Sequence, residues 1–251
     1  NCCTQFVSEK EKTAAKSKST EFVLTSQSTH LYINVHTHHT KPVEGILSIG
    51  NLYQNFDAIE VNSLYSVGLH PWFITADTWQ QQFELVKEKG RLQNVVAVGE
   101  AGLDKVCTTD FVLQQTVFSA HIQLANELQK PLIVHCVRAH AEAMQLLKKN
   151  KVKVPVLFHG FTKSKELALQ LMAQGYYLSF GHGLMKENLR TVLAALPIEQ
   201  VLLETDNSTA SIEEIYTLAA KAFQIDEESL SLQLSKNAAK VFGAVIQQED
   251  E

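Results

Sequence analysis

The feature that most constrains this chain is an alternation. From Leu31 onward, short apolar runs of strand character are separated by amphipathic stretches of helical period. The strand candidates are 31–36, 45–50, 64–69, 95–99, 131–134, 154–158, 176–180 and 201–203. Helical patterns fall at 77–89, 111–129, 138–149, 163–174, 186–195 and 211–223, with a closing helix near 227–242. Strands alternating with helices build a parallel sheet, because each strand returns to the same edge through a crossover. Eight such units predict an α/β fold of the TIM-type (β/α)8 barrel. The first units lack room for the full pattern: about a dozen residues separate the first two strands, where a whole βαβ unit takes around 30. The barrel is therefore expected to be shortened or distorted around its first two β/α units, with Ala58–Val61 adding a short extra strand.

Length leaves the domain count open: 251 residues make either two small domains or one large one. With no internal repeat and no Pro- or Gly-rich linker, a single barrel over residues 30–251 is the simpler reading. Residues 1–29, rich in Ser, Thr, Lys and Glu without periodicity, are expected to be a polar, mobile extension. No apolar run approaches the roughly 18 residues that span a membrane, so no membrane association is expected. A net charge of −5 argues against broad affinity for nucleic-acid backbone. It leaves room for an enzyme that grips one or two phosphates locally. Cys2, Cys3, Cys107 and Cys136 form no CxxC pair and no disulfide framework, which fits a reducing, cytoplasmic compartment. Nothing in these patterns calls for an obligate protein partner.

The strands end in chemistry. In barrels of this kind the active site lies at the C-terminal ends of the strands. The first strand delivers His36 and His38, which share a face because strand side chains alternate. The fourth delivers Glu100, the fifth His135, the sixth His159 and the eighth Asp206. One strand-end histidine is ordinarily a hydrogen-bonded surface residue, and one Glu after Gly a turn residue. Six such residues at one end of one barrel are the ligand set of a metal site. Four imidazoles and two carboxylates exceed the needs of one tetrahedral ion, so two divalent ions are expected, with Glu100 as the bridge between them. His36 and His38 would complete one ion, His135 and His159 the other. Asp206 would bind metal and serve as general base. Mixed nitrogen and oxygen ligation admits Zn, Mn, Co or Mg.

These residues carry a resemblance. Asn34-Val-His-Thr-His38, Gly68-Leu-His-Pro71, Gly99-Glu-Ala-Gly-Leu-Asp104, Pro131-Leu-Ile-Val-His135, His159-Gly-Phe161, Leu203-Glu-Thr-Asp206 and Asn237-Ala-Ala-Lys-Val-Phe242 stand in the order of the TatD family of metal-dependent hydrolases. The chain resembles that family over about residues 31–243. The resemblance implies an amidohydrolase-like barrel and a deoxyribonuclease, and it implies the same six metal ligands. It further implies that His70 and Arg138 lie near the substrate. Asp104 and Glu204 are expected to orient metal ligands rather than react. His39 and His182 are expected at the surface. Trp72 and Phe161 are placed to stack a base, although packing in the wall is the commoner role.

The chain departs from the family pattern at three places. Asn34 stands where the family usually has Asp. Arg138 follows His135 at the third position rather than the second. Asn207-Ser208 replaces the frequent Ser-Pro after Asp206. No metal ligand is lost. The expected activity is hydrolysis of DNA phosphodiesters, from single strands or strand ends. The alternative on the same site is a small ester, amide or other substrate that is not a nucleic acid. A metal-stabilised binding protein without turnover is disfavoured by the complete ligand set.

Overall fold

The computed structural model describes residues 32–39 and 41–243, and the extension expected over residues 1–29 lies outside the described residues. Eight parallel strands pair in chain order: β1 (Tyr32–Thr37), β2 (Ile46–Leu52), β3 (Leu64–Val67), β4 (Val95–Asp104), β5 (Leu132–Val137), β6 (Val156–Phe158), β7 (Tyr177–Phe180) and β8 (Val201–Leu203). The crossovers carry α1 (Trp79–Gly90), α2 (Phe111–Leu128), α3 (His140–Lys149), α4 (Lys165–Met172) and α5 (Glu187–Leu193), and α6 (Ile212–Phe223) and α7 (Glu227–Phe242) follow β8. This is the (β/α)8 barrel, nearly closed. The shortening falls where the spacing placed it: among the described residues no helix lies between β1 and β2, and the one helical element between β2 and β3 is a 3-10 turn, Phe56–Ala58. Ala58–Val61 is not a strand. Phe56 is buried and anchors the turn, while Val61 is 80% exposed and pairs with no strand among the described residues.

Helix ends follow local chemistry. Asp110, Ser164, Ser211 and Asp226 each accept a backbone N–H three residues on, at 2.7 to 3.4 Å, satisfying donors that the helix leaves unpaired. The barrel interior has two layers. Ile49, Leu64, Ile133, Leu157 and Leu202 pack together as an apolar lower layer. Two residues further along their strands, Asn51, Ser66, His135, His159 and Glu204 form a polar upper layer, as the period of two requires. The outward residues Leu132, Val134, Val156, Phe158, Leu178, Phe180, Val201 and Leu203 join the helices in the larger core.

Between β1 and β8 side chains do much of the work of a ladder. The Tyr216 hydroxyl, from α6, bonds both the N–H and the carbonyl of Ile33 (3.1 and 3.2 Å). Asn34 donates through Nδ2 to Thr205 Oγ1 (2.8 Å) and accepts the Thr205 N–H at Oδ1 (3.0 Å). Main-chain pairing resumes at the top, where the Asp206 N–H reaches the His36 carbonyl (3.0 Å) and the His38 N–H the Asp206 carbonyl (3.2 Å). The seam of the barrel thus closes through three residues of the candidate site. Below it, Asn237 of α7 donates to the carbonyls of Ile198 and Val201, fixing the start of β8. Among the described residues, no helix is long and apolar enough to cross a membrane.

Candidate active site

Two irregularities in the ladders aim side chains inward. The β1–β2 register shifts between Asn34 and Thr37, at His36, and the β4–β5 register shifts between Val98 and Ala101, at Glu100. Such bulges re-aim a strand where pairing continues on both sides. The glycines of Gly99-Glu-Ala-Gly-Leu-Asp104 permit it. A Cβ at Gly99 would lie 2.4 Å from the Ile133 carbonyl oxygen, and one at Gly102 1.9 Å from that of His135. Only residues without a side chain let β4 run this close to β5. Glu100 therefore sits inside a ten-residue strand, wholly buried, rather than at a strand end.

Its carboxylate divides the site. Oε2 faces His36 Nε2 (3.4 Å) and His38 Nε2 (3.8 Å), and those two imidazoles also face Asp206 Oδ1 (3.8 and 3.3 Å). Oε1 faces His135 Nδ1 (2.7 Å), His159 Nε2 (2.7 Å) and His70 Nε2 (3.3 Å). Behind the imidazoles stand further carboxylates: Asp104 Oδ2 lies 3.2 Å from His135 Nε2, and Glu204 Oε1 3.3 Å from His159 Nδ1. A neutral imidazole that donates its outer N–H to such a carboxylate turns its lone pair inward, which is how histidine ligands are held. Asp104 is fixed in turn by Trp72 Nε1 (2.6 Å) and the Val106 N–H (2.7 Å), and Glu204 accepts a short hydrogen bond from the Ser179 hydroxyl.

His70 differs from the others. Its Nδ1 accepts the Trp72 amide N–H (3.1 Å), which leaves the proton of the neutral ring on Nε2, pointing into the cluster. It presents a donor where the neighbouring histidines can present a lone pair. Burial lowers its basicity, against the pull of Glu100, so the neutral form dominates.

Burial alone would raise the Glu100 carboxyl, yet His159 and the hydrogen bonds from His135 and His159 hold it well below the usual carboxylate range. Asp206 is lowered in the same way, burial being outweighed by His38 and His159. His159, which burial would lower, is held well above the usual imidazole value by Glu100 and Glu204 on either side. Four carboxylates and five imidazoles in one buried mouth are an environment for cations. His36 supplies the sharpest test of fit: its ring is completely buried and, among the described residues, neither nitrogen has a hydrogen-bond partner. An orphaned imidazole costs about 1–3 kcal/mol unless something binds it. Four triplets, His36/Glu100/His159, His36/His38/Asp206, His70/Glu100/His135 and His159/Glu204/Asp206, each bring ligand atoms within 4.8 Å of one another. The donor set fits divalent metal.

The model of the family described as TatD-related DNases matches residues 4–243. The chain belongs to the TatD family. YcfH of Escherichia coli K12, described as an uncharacterized metal-dependent hydrolase, is 30% identical over 200 residues, covering 72% of this chain and 74% of that protein. A Citrobacter rodentium protein named 3'-5' ssDNA/RNA exonuclease TatD is 28% identical over 235 residues, covering 81% of this chain and 88% of its own length. The crystal structure of YjjV, a TatD homologue from E. coli K12, superposes with a TM-score of 0.73 at 23% identity, over 86% of this chain and 99% of that one. This TatD-family chain is accordingly a metal-dependent hydrolase with the family's barrel.

Of the residues singled out by sequence, the structure gathers His36, His38, Glu100, His135, His159 and Asp206 into one cluster, joined by His70 and backed by Asp104 and Glu204. Arg138 stands apart: it is exposed after β5 at φ 54°, and its side chain forms no ion pair among the described residues. His39 and His182 are exposed, and Phe161 is buried against Phe180. Asn51 carries a role that the strand-end reading passed over. It donates to Glu100 Oε2 (3.2 Å) and accepts both the Glu100 N–H (2.8 Å) and the Ser66 hydroxyl (3.0 Å). The second strand candidate stopped at Gly50, one residue short of it.

Proposed function

We propose that this TatD-family hydrolase cleaves phosphodiester bonds at the ends of single-stranded DNA, with His36, His38, Glu100, His135, His159 and Asp206 holding two divalent ions. The observation that carries this reading is the division of Glu100, whose Oε2 faces His36 and His38 and whose Oε1 faces His135 and His159, so that its two oxygens would serve different ions. The name of the Citrobacter rodentium relative, an exonuclease on ssDNA and RNA, supports the substrate class.

Divalent ions in such a cluster supply a water that is nucleophilic at neutral pH and neutralise charge on phosphoryl oxygens. The chain's own residues do the rest. Asp206 has a partly open side chain beside His38 and a depressed pKa, so it is ionised and accepts a proton from the attacking water. His70, protonated at Nε2, donates a hydrogen bond to a phosphoryl oxygen. Arg138, exposed after β5, reaches a neighbouring phosphate of the strand. Asp104 and Glu204 hold the His135 and His159 rings in their tautomers. A net charge of −5 argues against a broad grip on duplex backbone. It grips one end locally.

The test is purified protein with Mg, Mn, Zn or Co against labelled single- and double-stranded oligonucleotides, beside a panel of small esters and amides. His36→Ala and Asp206→Ala each remove a ligand, and each is expected to lower oligonucleotide cleavage about 10⁴-fold, some 5.5 kcal/mol of barrier, with the barrel still folded. Full cleavage by either variant overturns the assignment, and turnover confined to the esters or amides replaces it with the small-substrate reading.

A further inference from the structure

Among the described large apolar residues that are exposed, two are aromatic, and they are neighbours: Trp72 at 57% and Phe73 at 42%. Both follow Pro71, on the loop that carries His70 to the cluster. Phe161, the other aromatic beside a ligand motif, is 3% exposed and is plainly wall. Trp72 and Phe73 are not. Burying rings of this size gains far more than leaving them in water, so their exposure at the mouth asks for an occupant.

Both rings are held in place yet keep exposed surface. Trp72 is tied at its edge, Nε1 to Asp104, and through its backbone N–H to His70. Its ring lies 5.3 Å from that of His70 and 6.4 Å from that of His135. Phe73 is held by its N–H to the His70 carbonyl and stacks on Tyr53 at 4.8 Å and 12°. Tyr53 in turn meets the edge of His38 at 5.6 Å. The aromatic rim thus borders the ligand cluster on its His38, His70 and His135 side. Anchored rings lose little freedom on binding, which favours them as contact surfaces.

We propose that Trp72 and Phe73, backed by Tyr53, form a stacking subsite for an unpaired nucleobase of the strand whose phosphate lies at the cluster. This rests on the phosphodiesterase reading and adds the source of its strand selectivity. A base paired in a duplex must be unpaired before it can leave its stack, whereas an unpaired terminal base turns its face onto the rings at little cost. Stacking on aromatics tolerates any base identity, so the subsite selects single strands without selecting sequence. The placement beside the cluster, where the phosphodiesterase reading puts a phosphate, favours a nucleotide over a purely apolar partner.

The chain has two tryptophans, Trp72 and Trp79. In a Trp79→Phe background the emission reports Trp72 alone. Titration with oligothymidylate is expected to quench it, while a strand of equal length with abasic terminal nucleotides does not. Trp72→Ala and Phe73→Ala should each weaken binding of the thymidylate strand about tenfold and leave the abasic strand unaffected. Trp72→Phe keeps the ring face and loses the N–H to Asp104, so its affinity should stay within about threefold. That separates stacking from support of Asp104. Equal binding of both strands, equal losses on both, or no quenching overturns the subsite. Cleavage is scored separately. Quenching without cleavage under any metal sinks the phosphodiesterase reading and leaves the stacking, and cleavage indifferent to the terminal base sinks the stacking alone.

Discussion

The arc of β1 and β2 and the arc from β3 to β8 solve the same problem differently. Each strand from β3 to β7 returns through a helix, and the outward residues of that arc bury against those helices. Among the described residues no α-helix joins β1, β2 and β3, and the link from β2 to β3 carries only the 3-10 turn at Phe56–Ala58. Yet β1 and the residue just after it supply two of the six candidate ligands, and β2 supplies Asn51. On the helix-clad side position is fixed mainly by apolar packing. On the thin side it is fixed by buried polar contacts: Asn51 to Ser66 and Glu100, Asn34 to Thr205, Tyr216 to Ile33. Packing tolerates small volume changes, whereas a buried hydrogen-bond network fails when one member is left unpaired. The thin arc should therefore be the more sensitive to isosteric polar substitutions.

The helix-clad arc has one such polar contact of its own. His121, on α2 and fully buried, accepts the Leu69 N–H at Nε2 (3.0 Å) and donates from Nδ1 to the Val117 carbonyl (2.8 Å). It pins the chain just before His70. Protonation would set N–H against N–H, and burial pushes its pKa down to about 4. Above about pH 6.5 neither the folded nor the unfolded histidine is charged, and the group is neutral toward stability. Between about 6.5 and 4 the unfolded chain takes a proton that the folded one refuses, so stability falls as pH falls, by roughly 2–3 kcal/mol at pH 4.5. His121→Gln abolishes that titration. Denaturant unfolding of both proteins at pH 7.5 and 4.5 should show the parent losing about 2–3 kcal/mol more than the variant, and parallel losses would show that α2 does not hold the β3 loop in this way.

The same contrast explains what was legible in the sequence. The eight strands follow from apolar runs, and the ligands follow from the strand ends, because both depend on local pattern. Ala58–Val61 misled because its alternation of apolar residues is that of a strand, while the deciding fact, that no neighbour pairs with it, is not local. Glu100 is legible as the residue that follows the apolar run 95–99. Its position within β4 is not, since the irregularity that turns it inward depends on how closely β4 approaches β5. Tyr216 on Ile33 joins residues 183 apart, a contact that no window of sequence contains.

Asn51 offers the next largest effect. Asn51→Ala removes the acceptor of the Glu100 N–H and of the Ser66 hydroxyl, and the donor to Glu100 Oε2, all buried. The expected cost is about 1–3 kcal/mol of stability, and about 10–100-fold in affinity for added Zn or Mn, the loss usual when a partner of a metal ligand is removed. Calorimetric metal titration beside urea unfolding reads both. A variant that binds metal as the parent does would mean that packing, not this network, places Glu100.

The smallest effect is the most discriminating. Asn34 stands where the family usually has an acid, and by sequence the loss is one of negative charge behind the metal ligands. The geometry gives it another task. Its Nδ2 donates to Thr205 Oγ1, its Oδ1 accepts the Thr205 N–H, and Thr205 Oγ1 donates onward to Thr37 Oγ1 (3.0 Å). In Asn34→Asp the carboxylate keeps the Thr205 N–H but has no donor for Thr205 Oγ1. The hydroxyl proton must then turn from Thr37 to the new carboxylate. One hydrogen bond is traded for another, and Thr37, which faces the Asp206 carbonyl, loses a partner. The net change is expected at about 1 kcal/mol or less in unfolding free energy, with cleavage within about threefold of the parent, since that 1 kcal/mol would cost only about fivefold if all of it fell on the barrier. A tenfold change in turnover at unchanged stability would show that position 34 acts on the metal site directly, and that the seam is not its place of work.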